Sequence, residues 1–154
     1  MTYNAAQAYQ TQQIMTATPA QLVVMLYERA LRALRDAERA IAEGDVQARF
    51  DHNKRATDII AHLCSTLDME RGGEIAANLA DLYRFMLDRL RRVDLGNDPQ
   101  PAREVAGLLE PLLASWRELA NGNVAAGASN IPGAAPTSTP GQAQPGSGGF
   151  ALSA

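Results

Sequence analysis

The sequence predicts an all-α fold: an antiparallel, up-down-up-down four-helix bundle with a mobile N-terminal arm and a disordered C-terminal tail. Three observations predict it. Apolar residues recur in steps of three and four over four long stretches, the spacing of a helix face. Breakers fall between those stretches, at Gly44-Asp45, Glu70-Arg71-Gly72-Gly73 and Gly96-Asn97-Asp98-Pro99. Joints this short force antiparallel neighbours. Ala, Leu, Arg, Glu and Asp dominate the composition and aromatic residues are only 5%, which favours helix. The expected division is an arm over 1–17, a bundle over 18–120 and a tail over 121–154.

A chain of 154 residues is the size of one domain, and one of this length buries roughly 68% of its unfolded surface. Net charge is −3 with both signs interspersed, so the basic stripe of a nucleic-acid binder is missing. Cys64 is the single cysteine, which excludes an intrachain disulfide framework or cysteine zinc site and fits a reducing compartment. The first residues lack the basic and apolar regions of a signal peptide. No apolar run approaches the ~20 residues that span a bilayer. The expectation is a soluble, cytoplasmic protein that engages neither nucleic acid nor membrane.

The arm, MTYNAAQAYQTQQIMTA, has some helical content but no cap and no long stripe. Its Tyr3 and Tyr9 are large amphipathic rings that would find a surface to lie on. Thr18 then opens the first long helix. Pro19 suits its first position, and Gln21 stands three after Thr18, a capping box. Two adjacent stripes follow: Leu22, Leu26, Ala30, Ala33, Ala37 and Ile41, beside Val23, Tyr27, Leu31 and Leu34. Such a helix needs two neighbours, or one neighbour and a guest.

The second long helix runs from Asp45 to about Met69, with Val46, Phe50, Asn53, Ala56, Ile60, Leu63 and Leu67 facing inward. Asn53 needs a partner there. Gly72 and Gly73 end it. The third runs from about Glu74 to Leu95 on Ile75, Leu79, Leu82, Met86, Leu90 and Val93, flanked by Tyr83 and Phe85. Asp98 and Pro99 start the fourth, which reaches about Ala120 on Val105, Leu108, Leu112, Trp116 and Leu119, with Leu109 and Leu113 beside them. Pro111 should kink it near Gly107. From Asn121 the chain carries no charged residue and is dense in Gly, Pro, Ala and Ser, too little to order itself.

Catalytic and cofactor signatures are lacking. No Glu-x-x-His pair or HExxH occurs, His52 and His62 stand ten apart, and Gly72-Gly73 follows no strand. No enzyme, metal or cofactor is expected. Arg29, Arg32, Arg35 and Arg39 alternate with Glu28, Asp36 and Glu38, as on a salt-bridged outer face. What remains is apolar surplus, including Met15, Met25, Met69 and Met86. Either it fills the core, or it lines a groove for an amphipathic helix from a partner.

The residues also resemble a known family. Tyr3 and Tyr9, then Thr16-Ala17-Thr18-Pro19 with Leu22, then Met25-Leu26-Tyr27, are similar to the opening of the flagellar secretion chaperones that bind flagellin. The similarity continues through Asn53, Ile59-Ile60, Leu67-Asp68, Gly72-Gly73-Glu74-Ile75-Ala76, Leu82-Tyr83, Glu104-Val105 and Trp116-Arg117-Glu118. The resemblance implies a bacterial cytoplasmic chaperone, monomeric or weakly dimeric. It would cover the C-terminal helical segment of flagellin, block premature polymerisation and present its client to the flagellar export apparatus. It also implies an N-terminal arm that occupies part of the client surface until displaced. Carried onto this chain, the partner-binding residues are Tyr3, Tyr9, Leu22, Met25 and Tyr27. The alternative is a structural or regulatory bundle that self-associates through its first long helix.

Overall fold

The structure, a computed structural model, describes residues 5–122. Those residues form five α-helices and no strand: α1 (Ala5–Thr16), α2 (Pro19–Glu43), α3 (Val46–Ser65), α4 (Met69–Gly96) and α5 (Gln100–Ala120). Tyr3, and the tail from residue 123 on, lie outside the described residues.

The α2 boundaries follow the capping chemistry expected of them. The Gln21 amide donates to Thr18 Oγ1 (3.2 Å), and the Thr18 amide donates to Gln21 Oε1 (2.9 Å). Gly44 closes α2 in the left-handed region at φ +73°, where a Cβ would be strained. Asp45 then caps α3 by accepting from the Ala48 amide (2.9 Å).

The helical content expected in the arm runs from Ala5 to Thr16. Other expectations are corrected. The second stop falls at Thr66-Leu67-Asp68, ahead of the glycines. Asp68 accepts from the amides of Glu70 and Arg71 (3.1 and 3.0 Å), so it nucleates a new helix before Gly72-Gly73 can serve as the loop. Gly73 does take a positive φ, but as a kink inside α4 (φ +49°, ψ −129°). The inner face of α3 also begins differently: Val46 and Phe50 are exposed, while Arg49 is buried. Pro111 sits within α5, which runs on without interruption.

The four long helices pack in a cycle: α2 on α3, α3 on α4, α4 on α5 and α5 on α2. Side-chain pairs give the directions. Glu28 meets Arg117, Arg35 meets Glu110 and Glu38 meets Arg103; numbers rise on α2 as they fall on α5, so the two are antiparallel. Arg49 Nη1 donates to Asn97 Oδ1 (2.7 Å), and Asn53 Nδ2 donates to the Leu90 carbonyl (2.9 Å) and to Asp94 Oδ2 (2.8 Å). These bonds make α3 antiparallel to α4 and supply the partner that Asn53 requires.

Both stripes of α2 enter the core, where Tyr27, Ala30, Leu31, Ala33 and Leu34 meet Ile60, Tyr83, Met86, Leu90, Leu109 and Trp116. Tyr83 is therefore a core residue rather than a flanking one. Ile75 and Phe85 remain exposed, and Leu82 and Leu108 half-buried. No helix among the described residues is long and apolar enough to cross a membrane.

Candidate functional site

The stretch from α1 to the first half of α2 holds the sequence-predicted residues that the structure describes. α1 is poorly supported by its own sequence. It has no acidic residue in its first turn and no basic residue in its last, and a twelve-residue helix is marginal in water. Its packing on the other helices is slight compared with theirs on one another. Thr11 and Thr16 turn their hydroxyls back onto the carbonyls of Gln7 and Gln12.

Between α1, the first half of α2 and the end of α5 lies a cleft of about 1130 Å³. That exceeds the roughly 300–1,000 Å³ of small-molecule pockets, and suits a peptide segment better. Gln7, Ala8 and Thr11 form the α1 wall, and Ala120 and Asn121 form the α5 wall. Along α2 the lining passes from Gln21 through Val24 and Met25 to Glu28, Arg29 and Arg32. These positions recur at helix spacing and share one face.

The predicted residues divide by depth. Met25 is half-buried and lines the cleft. Leu22 is 37% exposed at its margin on the first turn of α2, and Tyr9 is 65% exposed on α1. Tyr27 lies beneath them, fully buried. Its hydroxyl is hydrogen-bonded to that of Tyr83, and Trp116 lies in the same core cluster. Burial pushes the Tyr27 phenol up from its ordinary value, against the pull of its polar neighbours Tyr83 and Trp116. Burial raises Tyr83 more strongly, and a Tyr27 anion beside it would raise it further. Both rings are thus neutral core side chains.

The arginine row of α2 is only half salt-bridged. Arg35 pairs with Glu110 and Arg39 with Asp36, whereas Arg29 and Arg32 make no ion pair or hydrogen bond among the described residues. Arg117 reaches Glu28 Oε1 (2.8 Å) across the α2–α5 seam. The sequence carried a partial signal: Arg29 has no acidic residue three or four places away on its helix. That Arg39 would take Asp36 from Arg32 is local to α2, whereas the loss of Glu28 to Arg117 is a tertiary fact. Among the described residues, no three His, Cys, Asp or Glu side chains gather to hold a metal ion.

Comparison with known proteins places this architecture in a family. The profile described as Flagellar protein FliS matches residues 2–123, the span of all five helices. The Flagellar secretion chaperone FliS of Salmonella typhimurium is 41% identical over 107 residues, covering 69% of this chain and 79% of that protein. Its counterpart in Campylobacter jejuni is 37% identical over 122 residues, covering 79% of this chain and 95% of that protein. The Bacillus subtilis counterpart is 32% identical over 115 residues, covering 75% and 85% respectively. With a match over every described helix and this identity to proteins from such distant bacteria, the chain belongs to the FliS family of flagellar secretion chaperones.

Proposed function

We propose that this chain is a cytoplasmic export chaperone that binds the C-terminal helical segment of flagellin, prevents its premature polymerisation and assists its secretion. The observation that carries the reading is the cleft beneath α1. It is long, half apolar and covered by a helix with little support of its own. The closed contact cycle of the other helices fits a four-helix bundle acting as a rigid platform. A client segment would fold on that platform, and the entropy lost in folding is offset by burying its apolar flank.

In this reading Leu22 and Met25 contact the client directly. Tyr9, with Tyr3 outside the described residues, belongs to the arm that shares or gates the surface. Tyr27 fixes the floor from below. Release needs no nucleotide, because a competing contact at the export apparatus suffices.

Calorimetric titration of the purified chain with a flagellin C-terminal peptide tests the proposal. A stoichiometric complex is expected, and absence of binding at tens of micromolar would defeat it. Deleting residues 1–15 should leave the bundle folded, since none of the described side chains there lies in the core, and should change the affinity. Light scattering over a dilution series tests the self-association alternative, which predicts a stable dimer that excludes the peptide.

A further inference from the structure

The cleft is more selective in charge than a general apolar groove. Every aspartate and glutamate of the chain lies among the described residues, and ion pairs consume those nearest the cleft. Glu28, four before Arg32, is held by Arg117, and Asp36, four after it, by Arg39. Only Arg29, Arg32, Arg55 and Arg91 among the arginines lack an ion pair or hydrogen bond among the described residues. The first two both line the cleft, and the other two do not.

Position along α2 adds a direction. Thr16, Ala17 and Gln21 close the cleft where α1 turns into α2, Val24 and Met25 form its middle, and Arg29 and Arg32 stand farther along. A ligand that fits carries an apolar flank for Val24 and Met25 and is anionic at one end. The C-terminal end of a helix meets that description, because the negative pole of its dipole lies there. If the helix ends the chain, a full carboxylate is added. An acidic side chain in mid-helix supplies the charge without the pole.

Resting on the reading that the client is the C-terminal segment of flagellin, we propose that Arg29 and Arg32 bind the client's terminal carboxylate. Two guanidinium forks one turn apart match the geometry of a carboxylate held by several N–H donors. Val24 and Met25 take the apolar flank of the last helical turns. The arginines thereby set the register, so that the end of the client, rather than any similar stretch within it, seats in the cleft.

The test uses the full chain and two synthetic peptides of the C-terminal helical segment of flagellin from the same bacterium. They are identical except that one ends in a free acid and the other in an amide. The amide should bind about three- to tenfold more weakly, between the effect of an exposed ion pair and that of a charged hydrogen bond. Arg29→Gln with Arg32→Gln should weaken the free acid by a similar factor and abolish the difference between the peptides. Both side chains are exposed and have no ion pair or hydrogen bond among the described residues, so circular dichroism melts should match those of the parent. Equal binding of acid and amide overturns the inference and leaves the chaperone reading intact. If the arginine variant then weakens both peptides alike, the charge read is an acidic side chain. Failure of both peptides to bind defeats the chaperone reading, and this inference with it.

Discussion

Removing both hydroxyls of the Tyr27–Tyr83 pair should harm the protein less than removing the Tyr27 hydroxyl alone. Within the packing cycle α2 and α4 are not neighbours, yet these two side chains join them through the middle. Both are essentially inaccessible, at 0% and 2% exposure. Each hydroxyl has the other as its hydrogen-bond partner. Tyr27→Phe therefore orphans the buried Tyr83 hydroxyl, and Tyr83→Phe orphans that of Tyr27, at a cost of about 1–3 kcal/mol. The double variant leaves neither hydroxyl behind. Expected losses are about 2 kcal/mol for each single variant and under about 1 kcal/mol for the double variant. Urea unfolding of the four proteins gives the coupling energy directly. A double variant destabilised by the sum of the two singles would refute the account, because it would mean that the hydroxyls contribute independently.

The same pair sets a pH dependence. Unfolded tyrosines ionise near pH 10, whereas burial holds both folded phenols above that. Above pH ~10 the unfolded state binds fewer protons than the native state, so stability falls by up to about 1.4 kcal/mol per pH unit for each tyrosine. Melting curves should show no contribution from the pair below pH ~9, and Tyr83→Phe should reduce the alkaline slope. Gly73→Ala should cost about 1–3 kcal/mol, since a Cβ at φ +49°, ψ −129° is strained even with nothing within 4 Å. By contrast Gly107→Ala, in open space on α5, should gain about 0.5–1 kcal/mol by the same thermal melts. Asp94→Ala should lose about 2–3 kcal/mol in urea titrations, because Arg49, 8% exposed, keeps only Asn97. That is somewhat less than the roughly 3–5 kcal/mol of a fully buried pair, as Asp94 is partly exposed.

The helices were legible where local chemistry decided them. Thr18, Gly44 and Asp45 are strong signals within three residues of the boundaries they set. The stripes of α2 and α5 were broad enough to survive an error of a residue or two. The failures share a physical cause, which is that a local signal lost to a neighbouring or distant one. Gly72-Gly73 is a conspicuous breaker, but Asp68 restarts the helix four residues earlier. Val46 and Phe50 fit the inner stripe of α3 by hydropathy, yet Arg49 turns inward to reach Asn97 and Asp94 on α4. No helical-wheel reading sees a partner more than forty residues away. Arg49 Nε and Asp94 Oδ1 lie 3.4 Å apart, at ion-pair distance but without hydrogen-bond alignment. The charge, more than the geometry, holds Arg49 inside. In the arm, the sequence showed some helical content but no long stripe, and the structure has a twelve-residue helix there.

Within the candidate site, the sequence pointed to Leu22, Met25 and Tyr27 but not to how deeply each is set. Leu22, Met25 and Tyr27 lie within two turns of one helix, and two of the three face outward. A helix with two apolar stripes satisfies its core with Tyr27, Ala30, Leu31 and Leu34 and has Leu22 and Met25 to spare. Stability and binding therefore draw on different side chains. Along α2, none of the fully buried core residues lines the cleft, and of the residues that line it only Val24 packs against the core. Seated across from the antiparallel α5, that separation lets three ion pairs close the α2–α5 seam from Glu28 onward, while the turns before it stay open. A surface arranged in this way can hold and release a client without disturbing the bundle beneath it.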